Sequence, residues 1–245
     1  MHRIRCSEIW GGIKNEDLDV CSAGLCASLY SGARGGDQGG DAYYFSVCGS
    51  DMLTRLALAD VCGHGAAVSE ISTWVYDSLA KYMNELDQPA MMGGLNDLVA
   101  GRGFKALTTA VMVSYYTRTG KLYYTCAGHP PMLSRGLDGR WREVSLPDSH
   151  DPRNMPLGVM PGIGYDMREL SYHPGDQLLL YSDGIIEAPS PDGELFGSQR
   201  LVAALDELDA AAPMELKESL LGRIRDWTGG SLAHDDVTVV AIQLE

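Results

Sequence analysis

Four aspartates stand at turning points of the chain: Asp41 at the start of DAYYFSV, Asp60 at the end of RLALAD, Asp183 at the end of LLLYSD, and Asp235 or Asp236 at the start of DDVTVVAIQL. Each adjoins a run of alternating or continuously apolar residues that reads as a β-strand. In antiparallel sheets the end of one strand lies beside the start of its neighbour, so all four can gather along one edge. Carboxylates gathered that way repel one another, and burying them unpaired is costly. A cation resolves the conflict. All-oxygen ligand sets suit hard ions such as Mg²⁺ or Mn²⁺, and two such ions about 3.5–4 Å apart can acidify and orient a water for in-line attack on phosphorus. Glycines at positions 39, 40, 63, 65 and 184 let the backbone turn sharply beside them. Metal-assisted hydrolysis of a phosphate ester is the chemistry these residues support.

Taken singly, each aspartate has a plainer explanation. Asp-Gly after a strand is an ordinary turn, Asp41 in GGDQGGD can be a solvated loop residue, and Asp235-Asp236 can simply open a strand. The joint placement is what separates them from independent turns. Asp37 competes with Asp41, although only Asp41 is followed directly by a strand pattern. His64 in CGHG can hold a proton near neutral pH and serve as general acid, or can be a loop residue bonded to the backbone. His129 is expected to fix the turn before Pro130 and Pro131, and His234 to support Asp235 from behind.

The elements that must position these residues follow from periodicity. RLALADV and QLLLYSDG read as strands, and residues 107–135 as strands joined by a turn at Gly120. Helical spacing runs from about Ala66 to Leu86, and again around 197–210 and 213–228, before VTVVAIQL closes the chain as a strand. LPDSHDPRNMPLG reads as a surface loop. Strands in sequential hairpins with helices in separate blocks argue for an α+β antiparallel layered fold, and nothing marks a boundary within residues 1–245, so one domain is expected.

Composition narrows the function classes. The 33 acidic side chains against 19 basic ones leave a net charge of −14, which repels phosphate backbones and anionic lipid and argues against nucleic-acid or membrane partners. No apolar run reaches the ~20 residues of a membrane span and the first residues lack a secretory segment, so a cytoplasmic location is expected. The six cysteines contain no C-x-x-C pair and are expected to be reduced and mostly buried. None forms the C-x5-R loop of a cysteine-based phosphatase. The chain also lacks G-x-x-x-x-G-K-[ST], a G-x-G-x-x-G between strand and helix, G-x-S-x-G and H-E-x-x-H.

In order, GGDAYYF, ALADVCGHG, TCAGHPPML, LLLYSDGIIEA and HDDVTVVAI resemble the motifs of the bacterial SpoIIE/RsbU-type branch of the metal-dependent (PPM, type 2C-like) serine/threonine phosphatases. That resemblance implies a four-layer α-β-β-α sandwich of two antiparallel sheets flanked by helices, with two Mg²⁺ or Mn²⁺ ions at one end. It implies Asp41, bridging Asp60, the Val61 carbonyl, Asp183 and Asp235 as metal ligands, with Asp236 the reserve for Asp235. It implies a phosphoserine or phosphothreonine protein as substrate, commonly a small anti-sigma-factor antagonist. Eukaryotic-type members hold the substrate phosphate with an arginine near the first aspartate; Arg34 is the candidate here, at a different spacing. No sensor domain is expected ahead of the motifs, so regulation is expected from a partner or a flexible segment. The competing class is a non-catalytic module on the same fold that binds a phosphoprotein or a kinase, for which clustered carboxylates have no evident use.

Overall fold

The computed structural model describes residues 2–48, 51–63, 66–82, 85–136, 138–144, 154–208 and 212–245. Along the chain come β1 (His2–Arg3), β2 (Ile9–Lys14), β3 (Glu16–Ser22), β4 (Leu25–Gly32), β5 (Gln38–Cys48) and β6 (Leu53–Val61). Helices α1 (Ala66–Lys81) and α2 (Gln88–Ala100) follow, then β7 (Thr108–Tyr116), β8 (Lys121–Ala127), β9 (Leu133–Arg135), β10 (Trp141–Glu143), β11 (Arg168–Ser171) and β12 (Gln177–Tyr181). The chain ends with α3 (Asp183–Ile186), α4 (Gly197–Glu207), α5 (Pro213–Trp227) and β13 (Val237–Leu244).

Alternation along each strand builds the layers. In β6, Leu56 and Leu58 point into a core shared by both sheets, while Ala57, Ala59 and Val61 point toward Val75, Leu79, Met91 and Leu95 of α1 and α2. In β13, Val240 and Ile242 enter the same inter-sheet core, while Val237, Val239 and Ala241 meet Leu201, Leu220 and Ile224 of α4 and α5. Strands covered on both faces must be apolar throughout, which is why these segments read as near-continuous hydrophobic runs. Among the described residues one sheet is ordered β1-β3-β4-β13-β12-β9-β10 and the other β11-β8-β7-β6-β5-β2. Apart from the short β1, parallel to β3, every pairing is antiparallel, and the expected α-β-β-α sandwich is what forms.

Three expectations need adjustment. The helix expected to reach Leu86 ends at Lys81, and most of the proposed loop at 146–158 lies outside the described residues. The periodicity reading passed over α2, whose start is set by Asp87 accepting the Ala90 N–H and by Pro89 in its first turn. The cysteines also depart from six reduced, mostly buried thiols. Hairpin register sets Cys21 directly opposite Cys26 and the two form a disulfide, while Cys6 and Cys62 are exposed. Linear spacing does not reveal which residues a hairpin will pair.

Candidate metal centre

Asp41 and Asp60 are direct cross-strand partners on β5 and β6. Both share the strand parity of Tyr43, Phe45, Leu56 and Leu58, so their carboxylates face between the sheets at one end of the core. Asp41 therefore sits three residues inside β5, not at its entry. The opposing sheet supplies Ser182, at the N-cap position of α3, and Thr238 of β13, joined by Thr238 N–H donating to Ser182 Oγ at 2.9 Å. Asp183 follows Ser182 directly, in the first turn of α3.

These side chains lie close enough to act on one another electrostatically. Burial pushes Asp60 up to about 9, and Asp41, Asp183, Asp235 and Asp236 all add to that rise. Burial likewise raises Asp41 to about 7 against the hydroxyls of Thr238 and Ser182, which favour its ionised form, with Asp236 and Asp183 raising it further. Asp183 is raised to about 6 by burial, then by Glu187 and Asp235. Glu187 is an acidic neighbour that strand-end reasoning missed; its position four residues after Asp183 in SDGIIE, at the C-cap of the turn of helix that Asp183 begins, is the signal that places it. Asp41 Oδ2 is buried without a hydrogen-bond partner.

Asp235 and Asp236 do different things. Asp236 is buried, and it accepts the Arg34 N–H on Oδ1 at 2.6 Å and the Gly40 N–H on Oδ2 at 2.5 Å. A β-carbon on Gly39 would stand 2.7 Å from that carboxylate, so only glycine admits it. The Val61 carbonyl oxygen and Asp236 Oδ2 both face Gly40, where a β-carbon would lie 3.0 and 3.1 Å from them. Asn15 holds the same β4–β5 turn from the other side, accepting the Ala33 N–H at 2.6 Å and donating to the Gly36 carbonyl at 2.9 Å. Asp235 is half-buried, accepts the Asp236 N–H at 2.9 Å, and acts on Asp60 and Asp183.

The remaining candidates fall around this centre. Arg34 is exposed on the turn; its backbone is tethered while its side chain lines a surface cavity of about 660 Å³ with Ser69, Glu70 and Thr73 of α1. Asp37 is exposed on the same turn and lines that cavity with Arg34. His129 is buried beside Asp60's other cross-strand neighbour, with Nδ1 2.9 Å from Thr109 Oγ1, and burial drives it down to about 3, so it is neutral. His234 Nε2 donates to the Gly184 carbonyl at 2.7 Å and ties the β13 approach to α3. His64 lies outside the described residues.

Among the described residues no three ligating side chains are drawn in on a single point. The donor set nevertheless fits hard cations: oxygens only, one buried and orphaned at Asp41, and carboxylates whose burial, with their mutual repulsion added, raises their affinity for positive charge. The family model for stage II sporulation protein E (SpoIIE) matches residues 50–245. The chain belongs to the SpoIIE family. Asp41 precedes the matched stretch, and pairing with β6 is what brings it to the centre.

The phosphoserine phosphatase RsbP of Bacillus subtilis is 24% identical over 217 residues, covering 84% of this chain and 49% of RsbP. The chain spans half or less of the length of the curated relatives it matches. Among solved structures, the RsbU and RsbW domains of Rv1364c from Mycobacterium tuberculosis align with a TM-score of 0.77 at 24% identity, over 94% of this chain and 63% of that one. The PP2C phosphatase domain of SpoIIE from Bacillus subtilis, with a fragment of its regulatory domain, gives 0.75 at 19% identity over 98% and 64%. RsbX in complex with magnesium gives 0.69 at 19% over 94% and 100%. At these identities the structural likeness establishes the PPM-type fold. No helix among the described residues is long and apolar enough to cross a membrane.

Proposed function

We propose that this SpoIIE-family chain is a Mg²⁺- or Mn²⁺-dependent protein serine/threonine phosphatase. The observation that carries the proposal is the convergence of Asp41, Asp60, Asp183 and Asp235 from both sheets on one end of the sandwich. In this reading those four carboxylates and the Val61 carbonyl hold two divalent ions. The ions, when bound, supply charge neutralisation around the phosphoryl group and acidity to water.

The chain's own residues set the geometry. Asp236 is the clasp and not a ligand: with both oxygens on backbone N–H groups, it locks the β4–β5 turn against β13 and thereby places Asp41. Thr238 and Ser182 orient the Asp41 carboxylate from the opposite sheet. The Arg34 guanidinium, on a turn with a fixed backbone, meets the substrate phosphate in a region otherwise rich in negative charge. His64 donates the proton to the departing seryl or threonyl oxygen, a role suited to an imidazole near neutral pH.

The substrate is a phosphoserine or phosphothreonine protein of the anti-sigma-factor antagonist class. A relative named for phosphoserine hydrolysis and a neighbour that joins RsbU and RsbW domains support this. A cytoplasmic setting belongs to the same proposal; the Cys21–Cys26 disulfide stands against it, since such bonds are rare in cytosolic proteins.

Hydrolysis of a small aryl phosphate with Mn²⁺ tests the reading, with EDTA as control and Asp60→Ala and Asp183→Ala as variants. Turnover is expected only with metal and both carboxylates. Activity that survives chelation and both substitutions would reject it.

A further inference from the structure

Away from the carboxylates, the described residues contain two fully buried cations, and they differ in how their charge is answered. Lys217 of α5, 2% exposed, is ion-paired with Asp17 of β3. Arg55 of β6, also 2% exposed, has no carboxylate at ion-pair distance among the described residues. Its Nε donates to Ser114 Oγ at 3.1 Å and its Nη1 to the weak acceptor Met91 Sδ at 3.6 Å. Ser114 Oγ in turn donates to Gln88 Oε1 at 2.7 Å, and Gln88 Nε2 donates to the Met112 carbonyl and to Thr125 Oγ1, both at 3.0 Å. The network is neutral from end to end. It aims the guanidinium without balancing it. Among the described residues the carboxylate acting on Arg55 is that of Glu85, which is exposed and accepts the Asp87 N–H at 3.0 Å.

A cavity of about 350 Å³ opens against this arginine, with Gln88 and Ser114 in its wall. Leu53 forms its apolar side, and Leu86 and Met167 stand at it 72% and 43% exposed, unusual for side chains of that size. An apolar hollow with a few fixed polar groups has the character of a small-molecule site, at the small end of the usual range. It is separate from the carboxylate centre. Arg55 lies five residues before Asp60 on the same strand, roughly 17 Å away at the rise of a strand, and faces α2 where Asp60 faces the opposing sheet.

We propose that this cavity binds a small organic monoanion, a carboxylate with a short apolar tail, whose charge meets Arg55 and whose tail lies against Leu53, Leu86 and Met167. A carboxylate matches the planar fork of a guanidinium. A single charge is favoured because one cation is available, and a dianion would leave one negative charge unanswered in a poorly solvated site. The proposal stands independently of the phosphatase reading.

Isothermal titration calorimetry of the full chain with Mn²⁺ present tests it, using hexanoate as probe and hexan-1-ol as its uncharged counterpart. Saturable hexanoate binding is expected, at least tenfold tighter than hexanol, and at least tenfold weaker in Arg55→Met. Should Arg55→Met not fold, Leu86→Glu at the exposed rim decides: both probes lose an apolar contact, but hexanoate binding should weaken by a several-fold larger factor than hexanol binding. No saturable binding of hexanoate, equal binding of hexanol, or undiminished hexanoate binding in the variants would overturn the proposal. So would capture of a short peptide through its terminal carboxylate with none of hexanoate, which would assign the cavity to a protein partner.

Discussion

Asp236 commits both carboxylate oxygens to backbone N–H groups across the β4–β5 turn, whereas its neighbour Asp235 accepts only the Asp236 N–H among the described bonds and acts electrostatically on Asp60 and Asp183. Substituting each by asparagine should separate their roles. Asp235→Asn is expected to remove most Mn²⁺-dependent turnover with little change in urea midpoint. Asp236→Asn presents an NH₂ to one of the two N–H donors, and should cost about 1–3 kcal/mol of stability while Mn²⁺ affinity in calorimetry is retained. The reverse pattern would exchange the assignments. Asp60 gives a second expectation. Its folded-state affinity for a proton is raised, to about 9, so the metal-free folded chain holds a proton that the unfolded chain releases near the ordinary carboxylate value of 3.8. Its contribution is present at low pH and is lost as pH rises through that window. In EDTA the urea midpoint should therefore be lower at pH 8 than at pH 5, and Asp60→Asn should shrink the difference. A difference unchanged in Asp60→Asn would show that this carboxyl is not the source.

At the scale of elements, the junction from β12 into α3 passes so close to the start of β13 that a β-carbon on Gly184 would lie 2.1 Å from the Asp236 carbonyl oxygen. Gly184→Ala must displace backbone rather than a flexible side chain, and is expected to cost about 1–3 kcal/mol, read as a lowered Tm. An unchanged Tm would mean that the junction yields freely. The same scale shows why some elements were legible and others were not. β6, β12 and β13 announce themselves through uninterrupted apolar character because both faces are covered. Helix α2 carries Gly93 and Gly94 in its middle, which lowers its intrinsic helicity, and packing of Met91, Met92, Leu95 and Val99 restores it. β2 includes Gly11 and Gly12, and β3 alternates acids with apolar residues, so neither reads as a strand until its partner is known.

For the whole molecule, cations that bind only the folded arrangement must stabilise it by mass action, about 2.7 kcal/mol at a hundred times Kd. Mn²⁺ is expected to raise Tm by several degrees in the wild-type chain and not in Asp60→Ala or Asp183→Ala, as scanning calorimetry would show; equal shifts in all three would place the ion elsewhere. The sequence by itself determined the α+β class, the order of the main strands and helices, and the candidacy of Asp41, Asp60 and Asp183, because strand periodicity and turn glycines are local properties. Tertiary structure decided what depends on which strands become neighbours. It set Asp41 opposite Asp60, turned Asp236 inward as a clasp beside Asp235, paired Cys21 with Cys26, and left Arg55 buried with no carboxylate at ion-pair distance among the described residues. Each of these follows from pairing register and from which face of a strand a residue occupies, and a one-residue slip would reverse it.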